Sequence, residues 1–263
     1  PSARSSPIEP VGTTATGACF TDTAACTDAA TPAAAPKSPR VDLYAPVHKA
    51  LRLFMGDTLG RLGWLDLDDA DECASTFSQV EALLELCRHH AALENQFIHT
   101  AIEARRAGDT ARIAAEHDEH LEVISCLQAE LAALRALPTP AAAHRFYRHL
   151  SRFVGDNMEH MNVEETTHNQ ALWAAYSDAE LLAIHQRIVA SVEPEVMALV
   201  LRWMVPAMNP AERAGMLGGM QQQLPPEAMR GVLETVRPHL DDRGWHKLAR
   251  GLNLPAASAA VGR

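Results

Sequence analysis

The chain has 263 residues, of which 47% are hydrophobic, enough to bury the core of one large domain, yet only 5% are aromatic. Ala and Leu dominate and β-branched runs are scarce, which favours helices over sheets. A formal net charge of -10 without a Lys/Arg cluster excludes a nucleic-acid surface, and no apolar run approaches the ~18 residues that cross a bilayer.

Residues 1–40 are rich in Ala, Thr, Ser and Pro and end in TPAAAPKSPR. Lacking periodicity and large apolar side chains, they read as a disordered arm. The arm carries Cys19 and Cys26; with Cys73, Cys87 and Cys126 the total is odd and no CxxC occurs. That pattern argues against a disulfide framework and for a reducing cytoplasm. The N-terminal residues have neither an apolar core nor a basic start, so no secretory signal is expected.

A helical period begins at Val41. The first segment, 43–63, places Leu51, Met55, Leu59 and Leu62 on one stripe. An acidic link with Asp66, Asp68, Asp69 and Asp71 leads into the second, 72–106, where Leu83, Leu86, Leu93, Phe97 and Ala101 are in phase. AGDT at 107–110 reads as a helix stop followed by an N-cap. The third segment, 110–136, carries Ile113, Ile124, Leu127, Leu131 and Leu134. LPTP at 137–140 makes a turn, and the fourth segment, 141–176, carries Phe146, Leu150, Phe153, Ala171 and Trp173. Four long amphipathic segments with short connections predict an all-α fold, an up-down four-helix bundle over 41–176. Ser177 and Asp178 read as the cap of a fifth helix over 178–191. Shorter Met- and Leu-rich helices then extend to 263, assigned to packing on the bundle or to contact with a protein partner.

Thirteen histidines are many for this length, and several fall on inward faces. In HHAALENQFIH, His90 and Glu94 lie ~40° apart at about 100° per residue and share a face with Leu86, Phe97 and Ala101. His160 and Glu164 in HMNVEETTH repeat the arrangement beside Phe153 and Ala171. An i, i+4 pair projects both side chains one way, which suits chelation of one cation or bridging of two. A carboxylate on an apolar face must be paired, protonated or metal-bound, and that requirement is the argument for metal. His48 lies on the inner stripe of the first segment. On the third, His120 is near the centre of the stripe and His117 about 60° to one side. Phase favours His120, though both can bind. His48 and His90 stand 42 residues apart, His120 and His160 40, so the order H…HxxxE occurs twice. Two helical hairpins would thus face each other across a pseudo-two-fold axis with two metals between them. Imidazole with carboxylate suits iron, and after it manganese or zinc. Glu165 is an alternative bridge. Of the remaining candidates, His99 is expected opposite His90 in solvent, His168 at the surface or supporting the site, His149 in the core, and Cys87 as an inert buried thiol.

VHKALRLF, HHAALENQFIH, EHDEHLEVI and HMNVEETTHNQALW resemble the four metal-binding segments of the hemerythrin HHE cation-binding family, over roughly 43–176. RWMVPAMNPAERAGMLGGM is similar to a stretch that follows this domain in some bacterial members and in eukaryotic iron-sensing ligase components. The resemblance implies a hemerythrin-type bundle with a non-haem di-iron centre, oxo- or hydroxo-bridged, that binds dioxygen or nitric oxide or senses iron. Oxygen-carrying members have HxxxH on the third helix and HxxxxD on the fourth. Here His117 and His120 are spaced i, i+3, and Glu164 follows His160 at i+4 with Glu165 at i+5. That departure favours sensing, redox response or oxidase chemistry over reversible carriage. No nucleophilic triad or phosphate loop is present, so an enzyme would owe its chemistry to the metals.

Overall fold

The computed structural model describes residues 40–254. The arm expected over 1–40, apart from Arg40, lies outside the described residues, as do Cys19, Cys26 and residues 255–263. Every regular element among the described residues is helical.

Four long helical stretches come first. Helix α1, Ala45–Gly63, starts where the Asp42 carboxylate accepts the Tyr44 and Ala45 N–H groups. Helix α2, Ala70–Leu93, is capped by Asp69, which accepts from the Asp71 and Glu72 N–H groups. The acidic link is therefore in part a helix cap, with negative charge at the positive end of the helix dipole. A π-helical turn, Glu94–His99, carries α2 on into α3, Thr100–Arg105.

The stop at Gly108 is real, with φ at 90. Thr110, however, makes no side-chain cap on α4, Ala111–Ala136. Its hydroxyl donates to Glu103, which also accepts the Gly108 and Thr110 N–H groups and closes the loop. Thr139 caps α5, Pro140–Val163, whose first residue is proline as the LPTP turn requires. A second π-helical turn, Glu164–His168, continues α5 into α6, Asn169–Ala175. Helices α1, α2, α4 and α5 pack in a ring, α1 and α4 each against α2 and α5.

Five further helices follow: α7 Asp178–Ser191, α8 Pro194–Ala207, α9 Pro210–Gln223, α10 Pro226–Val236 and α11 Asp242–Gly251. Ser177 with Glu180, and Asn209 with Glu212, form reciprocal capping boxes. Helix α8 lies along α1, where Trp203 stacks on Phe54 with ring centroids 4.1 Å apart. The Met- and Leu-rich tail otherwise folds on itself, burying Leu201, Val205, Leu217, Met229, Val236 and Trp245 together.

Two apolar clusters lie at the two ends of the ring. The larger joins Leu51, Phe54, Leu84, Ile124, Leu127, Phe146 and Phe153, and the smaller joins Tyr44, Ile98, Ile102, Leu172 and Leu181. Between them lies a buried layer of histidine and glutamate.

Candidate metal centre

Each of the four long helices delivers one histidine to this layer, and α2 and α5 deliver a carboxylate at their junctions with the π turns. His48, Glu94, His117, His160 and Glu164 are all buried, and His90 is nearly so. Glu94 Oε1 lies 3.5 Å from His48 Nε2 and 3.2 Å from His90 Nε2, while its Oε2 lies 3.4 Å from His117 Nε2. Glu164 mirrors it: Oε2 is 3.5 Å from His48 Nε2, and Oε1 is 3.4 Å from His160 Nε2 and 3.7 Å from His117 Nε2. The atoms fall into two groups, His48–His90 and His117–His160, each with one oxygen from both glutamates within 4.8 Å.

His48 Nε2, His90 Nε2, His117 Nε2 and all four carboxylate oxygens are buried and have no hydrogen-bond partner among the described residues. Orphaned polar atoms in an apolar interior are costly, and so many in one place need a counter-charge that coordinates them. Two imidazoles and two shared carboxylates per position form a donor set that fits a pair of divalent transition ions.

The outward faces of the rings are held. His48 Nδ1 is 3.1 Å from Glu165, His117 Nδ1 is 2.8 Å from Asn95, and His160 Nδ1 is 2.9 Å from Glu116. These oxygen acceptors favour a proton on Nδ1, which leaves the Nε2 lone pair pointing inward. Arg52 in turn pairs with Glu165, and Arg112 with Glu116. Glu165 is thus a support for His48 and not a bridge. Asn95 and Glu116 escaped the sequence reading. The signal for the first was available: the residue after each inward glutamate, Asn95 or Glu165, holds a histidine of a neighbouring helix.

The two carboxylates behave differently. Burial would raise the Glu94 pKa, but His90, His117 and His48 around it hold it well below the ordinary range. Burial and the adjacent Glu94 charge raise that of Glu164. Burial would lower the His48 pKa, yet its contacts with Glu165 and Glu94 lift it to about 9. His90 is lowered to about 4, chiefly by burial. The shared site thus moves the two carboxylates in opposite directions, as expected for like charges in contact.

Several expected positions need correction. His99 is buried, not in solvent, and its ring stacks on His117 at 5.1 Å and 8°. His168, expected at the surface or in support, is 1% exposed, with Nδ1 3.2 Å from the Tyr44 hydroxyl. The cause in both cases is the π turn. It closes i→i+5, so one residue is absorbed without advancing the helix phase by its usual ~100°. His99 thereby swings from opposite His90 to roughly 80° from it, and His168 comes to about 20° from His160. His117, rather than the phase-favoured His120, supplies the nitrogen facing the glutamates. His120 sits about one turn deeper, edge-on to His160 and Phe153. His149 is exposed and pairs with Glu130 at 2.8 Å, one helical step off the Phe146–Leu150–Phe153 stripe and outside the core.

A small cavity opens beside the histidines on the side of the larger apolar cluster. It is lined by Leu51, Cys87, His90, His117, His120 and Met161 among others, and its volume of about 10 Å³ admits one water-sized molecule. Burial pushes the Cys87 thiol up to about 12, so it stays protonated. Compared with protein-family models, with curated proteins and with solved structures, the chain has no match.

Proposed function

We propose that this chain is a hemerythrin-like protein whose up-down four-helix bundle holds two non-haem iron ions and binds dioxygen or nitric oxide for sensing or redox response. The observation that carries the reading is the pair of glutamates, each facing both histidine pairs with otherwise unpartnered oxygens. His48, His90, His117 and His160 would hold the ions terminally, and Glu94 and Glu164 would bridge them. Iron fits the mixed donor set best, with manganese or zinc after it. When bound, an iron pair would supply redox chemistry and Lewis acidity toward a small ligand.

This chain's own residues then set the selectivity. The adjoining cavity is of a size for one water-sized molecule and is lined by His90, His117, His120 and His160 and by the apolar Leu51, Ile124 and Met161. The protonated Cys87 thiol does not compete as a ligand. In the alternative reading the same centre serves a di-iron oxidase or peroxidase. A protein partner acting through the C-terminal helices is a further reading, supported by the packing of α8 along the helix that carries His48. The free Cys73, Cys87 and Cys126 accord with a cytoplasmic setting. No helix among the described residues is long and apolar enough to cross a membrane.

Anaerobic loading with ferrous iron, followed by nitric oxide and, separately, air, tests the ligand. The expected result is a new visible absorption band within mixing time for at least one gas. A loaded protein whose spectrum neither gas changes overturns ligand binding.

A further inference from the structure

We propose that His99, His168 and Glu164 form a third cation position, outside the bridged pair, that takes one divalent ion of the zinc, cobalt or ferrous class. The proposal rests on reading Glu164 as a metal-binding carboxylate. Each of the three residues offers a donor atom within 4.8 Å of the others, and all three are buried. His99 Nε2 is buried without a hydrogen-bond partner. The Tyr44 hydroxyl lies 3.2 Å from His168 Nδ1 and fixes the orientation of that ring.

Both π turns are needed to build this group, because each turns inward a histidine that a regular helix would direct elsewhere. The same distortion on two helices at one level is hard to ascribe to packing alone. An apolar residue at His99 would fill the space against His117 without stranding a nitrogen in the interior. Neighbouring Ile98, Ile102 and Leu172 seal the layer, so water has little access to satisfy that nitrogen. Two imidazoles and one carboxylate suit a borderline transition ion rather than magnesium or calcium, which prefer all-oxygen shells. Because Glu164 is shared with the bridged pair, the third ion is the last to bind and the weakest held.

Anaerobic titration with cobalt(II), read by equilibrium dialysis and by the visible spectrum, tests this on the full chain and on His99→Phe/His168→Phe, which keeps the ring packing. The full chain is expected to saturate at three ions, the last at least tenfold weaker, and the double variant at two with unchanged affinity. Saturation of the full chain at two overturns the third position and leaves the bridged pair standing; binding of none overturns both. Three ions in the double variant also overturns it. Should the variant fail to fold, anomalous scattering from cobalt-soaked wild-type crystals decides: a third peak between His99 and His168 supports the site, and two filled positions without it overturn it.

Discussion

Glu94 and Glu164 are coupled through the histidines between them: each reaches His48 with one oxygen at 3.5 Å and His117 with the other, at 3.4 and 3.7 Å. Neither carboxylate belongs to one half of the centre.

Removing one bridge should therefore empty both halves. Glu94→Gln and Glu164→Gln are each expected to lose most of both metal ions, whereas His90→Ala loses mainly the ion at its own half. Elemental analysis of the folded variants, with far-ultraviolet circular dichroism as the control, distinguishes the two patterns.

Glu164 should also change the sign of its contribution with loading. In the metal-free protein its buried charge lies beside that of Glu94, so Glu164→Gln is expected to raise stability by about 1–3 kcal/mol. In the loaded protein the same substitution removes a ligand and lowers stability. Urea melts with and without metal measure both.

The supports of the rings should act on affinity without supplying ligands. Asn95→Ala, Glu116→Ala and Glu165→Ala each free one Nδ1, and a weakening of roughly 10–100-fold per site is expected. Competition with a chromophoric chelator reads this directly; unchanged affinity in all three would remove the role assigned to them.

Protons compete with cations here. His48 binds metal only when neutral, and in the metal-free fold its pKa stands at about 9. Metal binding at neutral pH should thus release protons, and affinity should rise as pH approaches 9. Calorimetry in two buffers of different ionisation enthalpy counts the protons released.

Metal-free stability should respond to acid through a different set. Burial lowers His90, His99 and His120 to about 4, below the ordinary 6.5. A base whose folded pKa is depressed contributes stability above its unfolded value and loses it as pH falls toward the folded one. Their contribution is therefore lost between pH 6.5 and 4. His48 works the other way: its contribution is complete below 6.5 and fades as pH rises through 9. Thermal melts of the metal-free protein across this range test the acid limb.

Much of this was legible in the sequence because hydrophobic period and capping chemistry are local. The helical segments, the turn at Pro140 and the cap at Ser177 all follow from neighbours a few residues away. The pairing of His90 with Glu94 and of His160 with Glu164 follows from i, i+4 spacing on regular helix, and the place of His48 from the inner stripe of its segment. The reading faltered where the helix was not regular. A π turn has no strong sequence mark, so regular phase puts His99 opposite His90 and His168 about 80° round from His160, where the structure turns both inward. The choice between His117 and His120 depended on the axial level of α4 against its neighbours, which periodicity does not report. Asn95 and Glu116 act across helices and required the three-dimensional arrangement.

The central claim is that two cations share Glu94 and Glu164 as bridges. The Mössbauer spectrum of iron-loaded protein, taken with its iron content, tests it most directly. Two irons per chain, exchange-coupled in the oxidised state, is the expected result; one iron per chain, or two that behave as isolated ions, would contradict it.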